Sequence, residues 1–116
     1  MHNPDSNCLF CRIIRDEIPA KKIFEDADFL AFYDIYPKAP VHVLIIPKKH
    51  IESLAHLEET DTLLIGKMTL LLKKLAHDLK LTQGFKTQIH TGKGGGQEVF
   101  HLHYHLLGSP SHEDRC

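Results

Sequence analysis

The sequence predicts an α+β domain built on a mainly antiparallel sheet with helices on one side of it. Three observations support this. Short apolar runs recur at 23–25, 29–33, 41–46 and 84–90, bounded by Pro, Gly and Asp, and their lengths suit strands. One longer stretch, 61–80, keeps its apolar residues on a helical period. The order is then helix, strands, long helix and strands, which a two-layer α+β domain accommodates.

Residues 1–7 are polar and predict a loose arm. Leu9, Phe10, Ile13 and Ile14 have helical spacing, ending before Pro19, and put Cys8 and Cys11 on one face. Ile18-Pro19-Ala20 reads as a connector. Strands follow at Ile23–Glu25 and Phe29–Tyr33, with Asp26-Ala27-Asp28 turning between them. Asp34 to Pro40 is a proline-punctuated loop. Val41 to Ile46 is the strongest strand signal and suits a central position, with Pro47 stopping it.

Thr60 or Asp61 caps the long helix. Its stripe is Leu64, Met68, Leu71, Leu75 and Leu79, widened by Ile65, Leu72 and Ala76. Leu63 and Leu70 fall off that stripe, as ordinary exposed leucines or as a surface for a partner subunit. A strand at Gly84–His90, a glycine loop and a histidine-bearing strand complete the domain, which spans 8–110. A polar tail, 111–116, predicts fraying.

The chain has 116 residues, 42% of them hydrophobic, enough for one core and one domain. A formal net charge of −1 gives no basic field for nucleic acid. The N-terminus lacks the apolar core of a signal peptide. No run approaches membrane-spanning length. Three cysteines, an odd count, argue against a secreted disulfide framework. A cytoplasmic protein is the expectation.

Ten histidines are the unusual feature. In Phe100-His101-Leu102-His103-Tyr104-His105-Leu106, strand alternation puts His101, His103 and His105 on one face. The preceding Thr91-Gly92-Lys93-Gly94-Gly95-Gly96 lets backbone N–H groups approach a ligand closely. It lacks the Lys-Ser/Thr ending and following helix of a P-loop. Imidazoles beside peptide N–H groups suit a phosphate or a metal ion.

For phosphate, neutral imidazole is nucleophilic near neutral pH and can form a covalent intermediate that water resolves. His103, midway in the row, is the natural nucleophile, with His105 steadying the phosphate oxygens. For metal, one version uses all three strand histidines on a catalytic zinc. The other starts from Cys8-x-x-Cys11, spaced for two thiolates on one zinc, with two further ligands from elsewhere. A redox reading of the same cysteines wants a preceding strand, and only a short polar arm precedes Cys8. Two packed cysteines are the bland alternative.

A lone strand histidine is usually just hydrogen-bonded, but three beside a glycine loop exceed that reading. Phe10, Ile13 and Phe32 are core residues by type alone. Asp34 is a turn residue by type, and Lys48-Lys49 a solvated pair.

The segment His101-Leu102-His103-Tyr104-His105-Leu106-Leu107 resembles the signature of the histidine triad (HIT) superfamily. Ile13-Ile14-Arg15-Asp16-Glu17-Ile18-Pro19-Ala20, Phe24-Glu25-Asp26, Ala31-Phe32-Tyr33-Asp34-Ile35, Ala39-Pro40-Val41-His42, Ile46-Pro47-Lys48-Lys49-His50 and Gly95-Gly96-Gln97 extend the likeness. Together they are similar to its Hint branch of purine nucleoside phosphoramidases.

The resemblance implies a HIT-like fold with a five-stranded sheet and two helices. Two copies would form a homodimer with one continuous sheet. It also implies hydrolysis of purine nucleoside 5′-monophosphoramidates through a nucleotidyl-His103 intermediate, with His105 and His42 completing the catalytic set. Binding would fall to Phe10, Ile13, Ile18, Phe32 and Ile35 around the base, and to Asp34 on the ribose. Gly95, Gln97 and Val99 would lie on the phosphate side. Zinc would be held by Cys8, Cys11, His50 and His101, a closed and therefore structural site. A nucleotide-binding sensor or scaffold with little turnover, and a zinc hydrolase using the three strand histidines, are the alternatives. Two residues depart from the family pattern. His90 stands where asparagine is usual beside the phosphate loop. Glu98 stands where some members have serine, and a carboxylate there is expected to turn away from phosphate.

Overall fold

The computed structural model describes residues 7–110. The arm and tail expected at the two ends, and Cys116, lie outside the described residues apart from Asn7.

The sheet has five strands, β1 (Lys22–Glu25), β2 (Phe29–Tyr33), β3 (Val41–Pro47), β4 (Lys86–Gln88) and β5 (Tyr104–Gly108), in the order β1-β2-β3-β5-β4. Every neighbouring pair is antiparallel. The turn from β1 to β2 is held by Asp26, whose Oδ1 accepts the N–H groups of Asp28 and Phe29, both at 2.8 Å. β3 is buried at all of its positions and runs through Pro47, one residue beyond the expected stop. β4 is only Lys86–Gln88, shorter than the expected 84–90.

The two helices are α1 (Leu9–Ile14) and α2 (Thr62–Asp78). They pack on opposite faces of the sheet, which corrects the expectation of helices on one side. Val43 and Ile45 of β3 share a core with Met68, Leu72 and Leu75 of α2. Leu44 and Ile46, pointing the other way, share a second core with Phe10, Cys11 and Ile13 of α1. The physical reason lies in β3 itself. A strand apolar on both faces needs a cover on each, and burying a side chain such as Ile46 is worth about 1.5–3 kcal/mol.

The α2 stripe falls largely as expected: Met68, Leu71, Leu72, Leu75 and Ala76 are buried, whereas Leu63 and Leu70 are 69% and 67% exposed. Lys48 and Lys49 are not merely solvated. Lys48 pairs with Glu25, and Lys49 with the buried Asp61, which also accepts the Glu58 N–H. Among the described residues, no helix is long and apolar enough to cross a membrane.

Candidate functional site

The site lies on the α1 face of the sheet. Register sets its centre: Leu44 pairs with His105 and His42 with Leu107, so His42 and His105 are diagonal neighbours on one face. β5 begins only at Tyr104, so His101 and His103 precede the regular strand instead of lying within it. The Leu102 N–H is spent on the Ile51 carbonyl at 2.7 Å, and pairing with β3 starts at Ile45–Tyr104. The three histidines consequently do not line one cavity. His101 is fully buried behind α1, while His103 and His105 border an open cavity of about 380 Å³.

Hydrogen bonds assign the protons on these rings, because a carbonyl can only accept and a backbone N–H can only donate. His103 Nδ1 lies 2.7 Å from the His101 carbonyl, so Nδ1 carries the proton and Nε2 keeps its lone pair. The Lys38 N–H donates to His42 Nδ1 at 3.1 Å, so the proton of neutral His42 sits on Nε2, 2.9 Å from His105 Nδ1. His105 then carries its own proton on Nε2. That atom is buried and has no partner among the described residues. A buried N–H left unsatisfied on a residue of the cavity wall favours a ligand acceptor.

Burial keeps these rings neutral. It pushes His105 down to about 4, with His103, His90 and His42 adding repulsion, and it lowers His103 and His42 as well. Asp34 Oδ2 sits 3.5 Å from His42 Nε2. Its other oxygen accepts the Tyr36 N–H at 2.8 Å, which shapes the loop at the cavity mouth.

Of the expected binding residues, Phe10, Ile13, Ile18, Phe32, Asp34 and Ile35 line this cavity, as do His90 and Val99. Phe10 stands edge-on to the His103 ring at 5.1 Å. The His90 ring lies 4.8 Å from that of His105. His42 is not on the wall but behind His105. Gly95 is also off the wall; its neighbour Gly96 is on it. Gln97 is buried, and its side chain clasps the glycine loop instead of facing the cavity. Its Oε1 accepts the Gly92 N–H at 2.8 Å, and its Nε2 donates to the carbonyls of Glu52 and Val99 at 2.8 and 3.0 Å. Glu98 borders the cavity as well.

Reasoning from sequence missed Tyr36 and Lys38 on the wall. The available signal was their place in the loop between Asp34 and His42, two residues already singled out.

A second cluster lies behind the cavity. Cys8, Cys11, His50 and His101 bring one donor atom each within 4.8 Å of one another. His101 Nε2 is 2.8 Å from the Pro47 carbonyl, so its proton is there and the Nδ1 lone pair faces the thiols. Nδ1 of His101 is 3.4 Å from Cys8 Sγ and 3.2 Å from His50 Nδ1; Cys11 Sγ is 3.2 Å from His50 Nδ1. Donors about 2.0–2.3 Å from one tetrahedral ion stand about 3.3–3.8 Å apart, so this set fits a zinc-sized cation closely. Asp34, His42 and His105 also converge. There the Lys38 N–H holds the proton of His42 on Nε2, the atom a metal would need, and that proton is directed to His105 at 2.9 Å, with Asp34 more distant at 3.5 Å.

Comparison with known proteins agrees with this geometry. A family model described as "Scavenger mRNA decapping enzyme C-term binding" matches residues 7–116. Protein HitA of Neisseria gonorrhoeae is 54% identical over 104 residues, covering 90% of this chain and 97% of the relative. A crystal structure of a HIT family hydrolase from Legionella pneumophila superposes with a TM-score of 0.87 at 47% identity, covering 90% of this chain and 95% of that one. A histidine triad nucleotide-binding protein from Candida albicans superposes with a TM-score of 0.80 at 35% identity, covering 90% and 76%.

Proposed function

The chain belongs to the histidine triad superfamily and is similar to its hydrolases, and on that footing we propose that it hydrolyses purine nucleoside 5′-monophosphoramidates, or related nucleotidyl conjugates, through a covalent intermediate on His103. The observation that carries this reading is the 2.7 Å contact between His103 Nδ1 and the His101 carbonyl, which leaves an unprotonated Nε2 on a residue of the cavity wall.

In this reading the base lies against Phe10, Ile13, Ile18, Phe32 and Ile35, and Asp34 accepts from the ribose hydroxyls. His103 Nε2 attacks phosphorus and forms an N–P bond. The P–N bond to the leaving amine breaks, and the amine departs with that electron pair and takes a proton from water at the open mouth. The Nε2–H of His105 donates to a non-bridging phosphate oxygen and stabilises charge that grows in the transition state. Water then attacks phosphorus, releases the nucleoside monophosphate and restores His103. In the same reading the backbone groups of Gly96 and Val99, both on the cavity wall, meet the phosphate side, and His90 meets the flank of His105.

Cys8, Cys11, His50 and His101 would hold a zinc ion. With four protein donors it supplies no open coordination position and acts structurally, tying α1 to the segment that carries His103. The nucleotide-binding relative from Candida albicans supports a nucleotide as the ligand. The proposal extends to a homodimer. The exposed Leu63 and Leu70 of α2 and the edge position of β4 support a surface for a second copy.

The test is to incubate wild type and His103→Ala with adenosine 5′-phosphoramidate and follow the monophosphate and amine. We expect wild type to release both and to yield a nucleotidylated His103 peptide on acid quench. His103→Ala should lose turnover by about 10³-fold or more while still binding the monophosphate. A wild type that binds nucleotide without turning it over would replace this reading with the sensor.

A further inference from the structure

The cavity has few charges to offer an anion. Burial keeps His42 and His105 uncharged near neutral pH, and His103 must be neutral to attack. Two acidic residues, Asp34 and Glu98, are among those that border the cavity. Among the described residues of its wall, Lys38 is the one permanent cation.

Its position is specific. A row of rings runs from Phe10 to His103 (5.1 Å), to His105 (4.9 Å) and to His42 (5.2 Å), and the Lys38 N–H bonds to the last of them. Lys38 therefore stands at the end of the row opposite the apolar wall at Phe10. Its positive charge is felt at His42, where it opposes protonation. Lys48 and Lys49, beyond the other end of β3 and off the cavity wall, are each engaged by a carboxylate, Glu25 and Asp61. No carboxylate forms an ion pair with Lys38 among the described residues.

We propose that Lys38 is a specificity-determining residue that recruits the anionic phosphate of the ligand to the cavity, so that a nucleotide is favoured over the neutral nucleoside. This rests on the nucleotide reading above. Long-range attraction of this kind acts on encounter and weakens with salt. The backbone of Lys38 does a separate job, orienting His42, and a side-chain substitution leaves that N–H in place. The charge can therefore be removed alone.

The experiment measures binding of adenosine 5′-monophosphate and of adenosine to wild type, Lys38→Met and Lys38→Arg across a series of salt concentrations. We expect Lys38→Met to weaken monophosphate binding about 3- to 10-fold at low salt and to flatten its salt dependence. Adenosine binding should not change, and Lys38→Arg should behave as wild type. Monophosphate binding by Lys38→Met with wild-type affinity and salt slope would overturn the inference, as would an equal loss of adenosine binding. If wild type binds neither compound, the nucleotide reading fails and takes this inference with it.

Discussion

His42 Nε2 lies 2.9 Å from His105 Nδ1, and this contact decides which nitrogen of His105 carries its proton. Lys38 N–H, His42 and His105 form a chain in which each donor points the same way. His42 acts through His105 and is a positioning residue. Removing it leaves His105 free to take either tautomer. His42→Ala should lower kcat/KM about 10- to 100-fold, mostly in kcat, with nucleotide affinity little changed. Steady-state kinetics beside a circular-dichroism melt checks this; unchanged kcat in a folded variant would remove the relay from the mechanism.

The depressed titration of His105 makes stability depend on pH. Its folded value is about 4, below the ordinary 6.5, because burial disfavours the charged ring. A group with a lowered folded value binds protons more readily when unfolded. Its contribution is therefore fully present above about 6.5 and is lost as pH falls toward 4. His42 and His103 are shifted the same way by burial. Urea unfolding between pH 4 and pH 7 should show wild-type stability rising with pH, and a shallower rise for His105→Asn. Equal slopes would show that His105 is not held neutral by the fold.

How far the site could be read from the sequence differed from residue to residue, for physical reasons. The apolar run at 41–46 announced a central strand, and burial on both sides followed. Which helix covered which face did not follow, because a strand apolar on both faces carries no mark of its partners. His103 and His105 stood out through alternation and the glycine loop. His42 and His50 did not, since an isolated histidine reads the same whatever it bonds, and only family likeness raised them. Within Gly94-Gly95-Gly96 the sequence cannot say which glycine takes a left-handed conformation. Lys38 and Tyr36 were passed over because the local turn at Asp34, whose Oδ1 accepts the Tyr36 N–H, fixes the loop without announcing which of its residues face the cavity.

The cysteine–histidine cluster predicts one tightly held zinc per chain. Cys8 caps α1 and Cys11 lies within it, while Phe10 and Ile13 of the same helix line the cavity. Metal loss should therefore loosen the pocket as well as the fold. Cys8→Ser is expected to bind little zinc by elemental analysis. Its stability should fall by about 2–3 kcal/mol, moving Tm by about 10 °C or more. Nucleotide binding should weaken in parallel. Zinc retained at wild-type stoichiometry in Cys8→Ser would exclude Cys8 as a ligand.

Neighbouring glycines of the loop should respond differently to the same change. Gly96 has φ of 88°, in the left-handed region, whereas Gly95 has no such positive φ. A Cβ at either position meets nothing within 4 Å, so crowding is not the issue and backbone strain alone separates them. Gly96→Ala should cost about 1 kcal/mol in stability and raise KM, because Gly96 borders the cavity and leads into the Gln97 clasp. Gly95→Ala should be close to neutral in both. Paired urea titrations and kinetics on the two variants make the comparison. Equal costs would mean that the loop does not hold the conformation that brings the Gly96 backbone to the cavity wall.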